Sequence, residues 1–334
     1  MSASNRRIVL SSRPTGIPLP EHFSRDDQPA EAPGPGQFLV RNLFLSIDPA
    51  QRGWVNARSN YSDAVPLGAV MRSLAVGVVE ASRQPDVVVG EHLYGWFGWQ
   101  DYCVATTQQI LRRVDPREAP LTAAVGVLGI TGLTAYLALT RIGMPRPGET
   151  VVVSTAAGAV GSVVGQIARR TGCHVVGLTG SDEKVSLCTR EFGYHEAINY
   201  KSGFDAAALR SRCPRGVDVF FDNTSGEIAD TVISAMNSHG RIVQCGTAAV
   251  PVWDPPPAGP RREREILVKR LRHEGFIIFD HVSEFPAVAA TLAVWIKEGT
   301  LKYREDVEQG LERAPAALSG LYQGANRGKK IIQL

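Results

Sequence analysis

The chain of 334 residues is 44% hydrophobic and 21% charged, a composition typical of a globular protein with room for two domains. A formal net charge of +3, with basic residues scattered along the chain, argues against a nucleic-acid-binding protein. The five cysteines include no close pair, which argues against a disulfide framework or a CxxC metal site and favours a reducing compartment, the cytoplasm.

The first part of the chain, to about residue 120, predicts a mixed, mainly β domain. It is rich in proline and glycine and contains short strands such as "QFLVRNLFLSID" at 37–48 and "AVGVVEASR" at 75–83. Residues 119–140 follow without a charge, over nearly the length of a membrane span. Because this segment is rich in Ala, Gly and Thr and is followed by a proline turn, we expect a buried helix and no membrane segment.

The middle of the chain alternates strand and helix patterns. Helices are predicted at 159–172 and 181–193, and strands at 150–155, 174–180, 196–200, 216–223, 240–246 and 274–280. Apolar strands alternating with helices indicate a doubly wound parallel sheet in an α/β protein. The C-terminal segment is typical of strand, helix, strand. We therefore expect residues 123–299 to form a doubly wound domain, inserted in a domain made of residues 1–122 and 300–334.

The turn after the first of these strands carries a dinucleotide-binding pattern, Ala156-x-Gly158-x-x-Gly161, with alanine at its first position. Gly158 lets the backbone approach a pyrophosphate, and Gly161 lets the helix pack closely on its strand. The helix N-terminus offers N–H donors and the positive end of its dipole to phosphates. The alternative is a turn that only packs a helix against a strand.

The second strand indicates which dinucleotide binds. An NAD site has an Asp or Glu near the end of this strand, which binds the ribose 2′-hydroxyl. Here the chain reads Gly177-Leu178-Thr179-Gly180-Ser181, and Lys184 follows inside the next helix. A missing carboxylate beside a cation favours the 2′-phosphate of NADP(H). The alternative for Lys184 is an ordinary solvated lysine.

Short segments along nearly the whole chain match one family, among them "SIDPAQRGW" (46–54), "GLTAY" (132–136), "AGAVGSVVGQIA" (157–168), "GSDEK" (180–184), "INYK" (198–201), "GVDVFFDN" (216–223) and "LKYRED" (301–306). They resemble the medium-chain dehydrogenase/reductase superfamily and, within it, the zinc-independent, NADPH-dependent double-bond reductases. That group includes leukotriene/prostaglandin, alkenal and curcumin reductases. The resemblance implies a Rossmann domain inserted in a GroES-like catalytic domain, a homodimer, and hydride transfer to the β-carbon of an α,β-unsaturated carbonyl.

The resemblance also implies the cofactor-binding residues. Around the phosphates and the adenosine ribose these are Ala157, Gly158, Ala159, Val160, Gly180, Ser181, Lys184 and Tyr200. Toward the nicotinamide they are Thr134, Asn223, Cys245, Gly246, Phe276, Ile277, Phe279 and Asn326. The segment 276–279 would offer backbone groups to the carboxamide, and Asn326 stands at the asparagine of the family's GxNxGK pattern.

No metal is expected, because Cys103 is the one cysteine of the first domain and His22 and His92 lack partners at ligand spacing. Without a metal, hydroxyl donors must stabilise the enolate oxygen that forms during reduction. The resemblance implies that Tyr61, in "RSNYSDAVPLG", is such a catalytic donor beside the cofactor's own ribose hydroxyl. The alternative for Tyr61 is a surface loop residue.

Two segments depart from the family pattern. Where relatives commonly have a tyrosine in a segment like "CGAISQYN", this chain reads "CGTAAVPVWDPPP", with Trp253 before three prolines; "GITGL" replaces "GMPGL". Both changes favour a larger conjugated substrate than a small alkenal, so that a biosynthetic reductase or reductive cyclase is included in the hypothesis. An NADPH quinone reductase of the same fold and a non-enzymatic NADPH-binding protein are the alternatives.

Overall fold

The computed structural model describes residues 3–57, 60–250, 252–253 and 255–334. The chain forms two compact units. One comprises the chain up to Gly129 together with Glu305–Leu334, and the other is Ile130–Arg304. The expected boundaries, after residues 122 and 299, lie a few residues before these divisions.

Fifteen strands lie in the described residues, and they are β1 (Ser4–Leu10), β2 (Phe23–Pro29), β3 (Phe38–Ser46), β4 (Leu74–Ser82), β5 (His92–Trp96), β6 (Tyr102–Ala105), β7 (Ile110–Val114), β8 (Thr150–Ser154), β9 (His174–Thr179), β10 (Glu196–Asn199), β11 (Val217–Asp222), β12 (Met236–Gln244), β13 (Arg272–Gly275), β14 (Glu305–Gln309) and β15 (Lys329–Gln333).

The α-helices of the described residues are α1 (Ala50–Trp54), α2 (Leu121–Val125), α3 (Ile130–Ala138), α4 (Gly161–Arg170), α5 (Asp182–Arg190), α6 (Ala206–Arg212), α7 (Gly226–Ser234), α8 (Glu263–Lys269), α9 (Phe285–Lys297) and α10 (Ala314–Gln323). A π-helical turn, Leu139–Gly143, continues α3, and short 3₁₀ turns include Ile278–Glu284. No helix in the described parts of the chain is long and apolar enough to cross a membrane.

The first unit is built on a mostly antiparallel sheet of seven strands, in the order β14-β15-β3-β4-β5-β7, with β6 also paired to β3. β14 pairs in parallel with β15, and β15 pairs antiparallel with β3. The two C-terminal strands therefore belong to the same sheet as the N-terminal strands. A buried ion pair lies at this junction: Lys329 Nζ is 2.6 Å from Asp48 Oδ1, with both side chains less than one-tenth exposed. Lys329 Nζ also donates to Ile47 O, which satisfies a second of its hydrogens.

The second unit has a six-stranded sheet in the order β10-β9-β8-β11-β12-β13, and every pairing is parallel. The central strand β8 is buried along its whole length, as a parallel sheet covered on both faces requires. This is the doubly wound Rossmann topology. The predicted α/β class, with a Rossmann sheet in the inserted second unit and a mainly β first unit, is confirmed.

Two predicted elements differ from the structure. The sixth strand, predicted at 274–280, is Arg272–Gly275, and the apolar residues after it leave the sheet and enter a 3₁₀ turn. The charge-free segment 119–140 is two helices separated at Gly126 and Gly129 instead of one. A Cβ at Gly129 would lie 2.5 Å from Ala124 O, so the chain packs too closely there for a straight helix with ordinary side chains.

Candidate cofactor site

The turn between β8 and α4 is shaped by close contacts of its backbone. The Gly158 N–H donates to Thr155 O at 2.9 Å, and the Thr155 backbone adopts a positive φ of 52°. A Cβ at Gly161 would lie 2.4 Å from Thr155 O and 2.8 Å from the Cα of Ala156. Only glycine fits at Gly161, as the fingerprint pattern predicts.

This turn leaves N–H donors at the start of α4. Within the described part of the chain, the N–H groups of Ala159, Val160 and Gly161 have no hydrogen-bond acceptor. Ala157 is buried beneath the turn, whereas Gly158, Ala159 and Val160 are partly accessible. Unpaired N–H groups at the N-terminus of a ten-residue helix are the donors that bind phosphate in dinucleotide sites.

A second group of predicted residues meets after β9. Ser181 is the N-cap of α5 and its Oγ accepts a hydrogen bond from the Lys184 N–H at 3.3 Å. A Cβ at Gly180 would lie 2.9 Å from the Tyr200 hydroxyl and 3.4 Å from Cε of Lys201. Burial raises the pKa of Tyr200, so its hydroxyl stays protonated and able to donate. The structure thus brings Gly180, Ser181 and Tyr200 together.

Lys201 was missed by the sequence analysis. Its N–H is held by Asn199 Oδ1 at 3.1 Å, and its side chain lies against Gly180. Asp182, the acid nearest to the end of β9, accepts a hydrogen bond from Asn199 at 2.9 Å. The signal was present in the segment "INYK", where a second cation directly follows the predicted tyrosine.

The ends of β11 and β12 bring the third predicted group together. The N–H groups of Cys245 and Gly246 both donate to Asp222 O, at 2.8 and 3.1 Å, and a Cβ at Gly246 would lie 2.8 Å from Asn223 O. Burial raises the pKa of the Cys245 thiol to about 12, so this cysteine remains a neutral thiol at physiological pH. Beside them, Asn223 donates from its side-chain amide to Ser154 O at 2.7 Å.

The remaining predicted residues of the second unit follow β13 or belong to α3. The Phe276 N–H donates to Gln244 O at 3.1 Å, and its ring stacks on His281 with centroids 5.0 Å apart. Ile277 and Phe279 are half-buried beyond it. Thr134 is a buried residue of α3.

Tyr61 and Asn326 lie in the first unit. The Tyr61 side chain is 47% exposed. Arg72 Nη1 donates hydrogen bonds to Ser62 Oγ and Asp63 O, which hold the two residues after Tyr61. Asn326 Nδ2 donates to Gly328 O at 2.7 Å, which closes the turn before β15. Burial raises the pKa of Tyr322, another residue of this unit, far above its usual value, so its hydroxyl stays protonated.

The structure also shows three polar residues at strand ends that the sequence analysis missed, Ser154, Asp222 and Gln244. Each ends a strand, β8, β11 or β12, and a hydrogen bond joins Ser154 Oγ to Asp222 at 3.1 Å and Gln244 Nε2 to Asp222 at 3.2 Å. Their signal was a single polar residue at the end of a run of apolar strand residues, as in "TVVVS" and "VDVFFD". In open α/β sheets, ligands bind at this carboxyl edge.

These residues fit a phosphorylated dinucleotide. The glycine turn is a cradle that a Cβ would fill, with N–H groups at the helix start for a pyrophosphate. Residues 177–181, at the end of β9, include no carboxylate, and the nearest one, Asp182, is bonded to Asn199. Tyr200 and Lys201 lie beside Gly180, which suits a ribose 2′-phosphate. Among the described side chains, no group of three or more His, Cys, Asp or Glu could hold a metal ion.

Comparisons with known proteins agree on one family. Residues 6–112 match the family described as "N-terminal domain of oxidoreductase", and residues 159–294 match "Zinc-binding dehydrogenase". The chain is 38% identical to the NADPH-dependent curcumin reductase of Escherichia coli, over 99% of this chain and 97% of that protein. It is 36% identical to the NADP(+)-dependent 2-alkenal reductase of Nicotiana tabacum, over 99% and 98% of the two chains.

A solved structure is similar over nearly the full length. CurA of Vibrio vulnificus in complex with NADPH superimposes with a TM-score of 0.91, at 37% identity, covering 98% of each chain. Full-length similarity at this identity extends to both units of the structure. The chain therefore belongs to the medium-chain dehydrogenase/reductase superfamily, in its branch of zinc-independent, NADPH-dependent double-bond reductases.

Proposed function

We propose that this protein is an NADPH-dependent reductase that adds hydride to the β-carbon of an α,β-unsaturated carbonyl or a more extended conjugated substrate. The observation that carries the proposal is the cofactor site: a glycine cradle at the start of α4, and residues 177–181 without a carboxylate, where Tyr200 and Lys201 both lie beside Gly180. Relatives with full-length similarity are NADPH-dependent curcumin and alkenal reductases.

In this proposal, different residues bind different parts of NADPH. NADPH supplies the hydride. The N–H groups of Ala159 to Gly161 bind the pyrophosphate, and Lys184 and Tyr200 bind the 2′-phosphate. Asn223, Cys245, Gly246 and the segment 276–279, together with Thr134 and Asn326, position the nicotinamide half.

Tyr61 is the catalytic donor of the proposal. Reduction at the β-carbon moves negative charge onto the carbonyl oxygen, and a hydroxyl that donates to this oxygen lowers the barrier. The Tyr61 ring is about half exposed and the residues after it are fixed by Arg72, so the side chain is accessible on an anchored loop.

The altered segment after β12 points to a large substrate. Trp253 is 52% exposed and Val252 39% exposed, before Pro255 to Pro257; Pro251 and Asp254 lie outside the described residues. Exposed apolar side chains offer contact area to a conjugated substrate. A biosynthetic reductase, or a reductase whose product closes a ring, is therefore part of the proposal.

A homodimer is also proposed. All four residues of the edge strand β13 are exposed, and on the adjacent α8 Leu267 is 76% and Val268 55% exposed. An open edge strand beside exposed apolar side chains is a surface that a second copy can cover by extending the sheet. We place the protein in the cytoplasm, which its five free cysteines suit.

The chemistry is tested with deuterium at the transferring position of NADPH. We expect the label on a carbon β, or vinylogous, to the carbonyl of an enone, because hydroxyl donors suffice for an enolate. NMR of the product locates the label. A deuterated carbinol carbon would refute the reaction, and turnover with quinones but not enones would establish the quinone reductase alternative.

Cofactor choice is tested by Lys184→Ala. A charge-assisted hydrogen bond to phosphate contributes about 1.5–3 kcal/mol, so the dissociation constant for NADPH should rise about tenfold or more while that for NADH stays constant. Fluorescence titration measures both constants. Lys297→Ala, which removes an exposed lysine from α9, is the control and should change neither. Equal affinity of the native protein for the two cofactors would contradict the assignment.

The role of Tyr61 is tested by Tyr61→Phe. Turnover should fall about tenfold with little change in NADPH affinity, because the contact strengthens as charge develops. The loss is smaller than the roughly hundredfold effect of a typical oxyanion donor, since the ribose hydroxyl shares the work. Steady-state kinetics and cofactor titration give the two numbers, and Tyr102→Phe on β6 is the matched control. Unchanged turnover would remove Tyr61 from the mechanism.

The dimer is tested by analytical ultracentrifugation at micromolar concentration. The native protein should sediment with the mass of two chains. The Leu267→Glu variant should sediment with the mass of one chain, because a charge buried at the interface is costly. Val294→Glu, at an exposed apolar residue of α9, is the control and should leave the dimer intact. A native protein that sediments as a single chain would exclude the proposal.

A further inference from the structure

Asp222 is a carboxylate without exposure to solvent, and in the described part of the chain it forms no ion pair. Hydrogen-bond donors surround it instead. They are the hydroxyl groups of Ser154 and Thr224, the N–H groups of Thr224 and Ser225, and Nε2 of Gln244, all at 2.8–3.2 Å. A buried carboxylate is costly unless its oxygens are satisfied in this way.

The Ser154 hydroxyl is oriented by this carboxylate. Because the Asp222 carboxylate accepts from all its neighbours, the Ser154 hydrogen points to Oδ1, at an O–O distance of 3.1 Å. The lone pairs of Ser154 Oγ then accept the Asn223 N–H at 2.8 Å. The neighbouring carbonyl, Ser154 O, accepts the Asn223 side-chain amide at 2.7 Å.

The oriented Ser154 in turn holds Asn223 in place. The Ser154 hydroxyl accepts the backbone N–H and so fixes where the Asn223 backbone lies. From that position the side-chain NH₂ reaches the Ser154 carbonyl oxygen, which fixes the orientation of the amide. Asn223 Oδ1 receives no hydrogen bond from the described residues, and the side chain is partly accessible. The side chain therefore presents Oδ1 as an acceptor at the carboxyl edge of the sheet, while Ser154 O holds one of the two Nδ2 hydrogens.

We propose that Ser154 and Asp222 are positioning residues that hold Asn223 with its Oδ1 directed at a donor group of the nicotinamide half of NADPH, a ribose hydroxyl or the carboxamide N–H. The inference rests on the proposed function, which places Asn223 beside that half. Ser154 acts through Asn223, and Asp222 acts through Ser154.

The experiment compares the binding of two ligands that share the adenosine 2′-phosphate half of NADPH. The full-length protein is titrated with NADPH and with adenosine 2′,5′-bisphosphate, which carries the 2′-phosphate but no nicotinamide. Ser154→Ala should weaken NADPH about three- to tenfold, the range for one hydrogen bond, and change the bisphosphate less than twofold. Lys184→Ala should weaken both. Equal loss of both probes in Ser154→Ala would mean a general structural effect and would overturn the proposal.

Thr224→Val is the matched control. Its hydroxyl also donates to Asp222, at 3.0 Å, but it has no hydrogen bond to Asn223. The control should lower the urea midpoint of unfolding about as much as Ser154→Ala and leave NADPH affinity unchanged. A similar loss of NADPH affinity in Thr224→Val would contradict a path through Asn223. If Ser154→Ala does not fold, Ser154→Cys, with a weak donor of similar volume, replaces it with the same expectations.

A double-mutant cycle separates this inference from the proposed function. In an Asn223→Ala background, Ser154→Ala should weaken NADPH no further, because the group it positions is gone. An undiminished effect of Ser154→Ala in that background would refute the positioning role while leaving Asn223 as a ligand. Unchanged NADPH affinity in Asn223→Ala alone would instead refute the assignment of Asn223.

Discussion

The closeness of α4 to β8 and β9 is the constraint on which the cofactor site depends. A Cβ at Gly165 would lie 2.1 Å from the ring of Tyr194, and a Cβ at Gly177 would lie 2.7 Å from the Cβ of Ala156. The Tyr194 hydroxyl donates to Gly161 O at 2.6 Å, and burial raises its pKa well above the usual value, so it remains a neutral donor. Only residues without side chains allow this contact, and it brings the first N–H groups of the helix to the sheet edge.

A second organising element is the carboxylate of Asp222. It joins the ends of β8, β11 and β12 to Ser225, the N-cap residue of α7, which adopts a positive φ of 63°. The network extends to the edge strand, because Gln244 Oε1 lies 3.0 Å from His273 Nε2. Burial lowers the pKa of His273, which favours the neutral ring at this contact. These hydrogen bonds join the polar groups at the edge to one another, and Asn223 Oδ1 has no donor among the described residues.

The first unit is organised by a different buried charge. Lys329 and Asp48 connect β15 to the segment after β3, and Ser46 Oγ donates to the second oxygen of Asp48. A pair of this kind is costly to break, because either partner alone is an unpaired buried charge. The same segment leads into α1, whose Arg52 lies over the ring of Tyr322 at 4.6 Å. The C-terminal segment therefore completes the fold of the N-terminal one.

The Rossmann sheet can be predicted from the sequence alone, because apolar runs bounded by glycine and proline repeat with helical segments between them. It also predicted the glycine turn, since Gly158 and Gly161 have the spacing of a known backbone geometry. The predicted end of the last strand of this sheet was wrong. Residues 276–280 are as apolar as a strand, but they form other contacts, such as the stacking of Phe276 on His281, and leave the sheet.

Hydrogen bonds between residues that are distant in the chain became visible only in the tertiary structure. Ser154 and Asp222 are separated by 68 positions, and nothing in their local sequence predicts that one orients the other. Lys201 likewise lies beside Gly180 only because of the turn after β10. Local patterns determine elements through propensity and periodicity, whereas the direction of a donor or acceptor depends on which strands become neighbours.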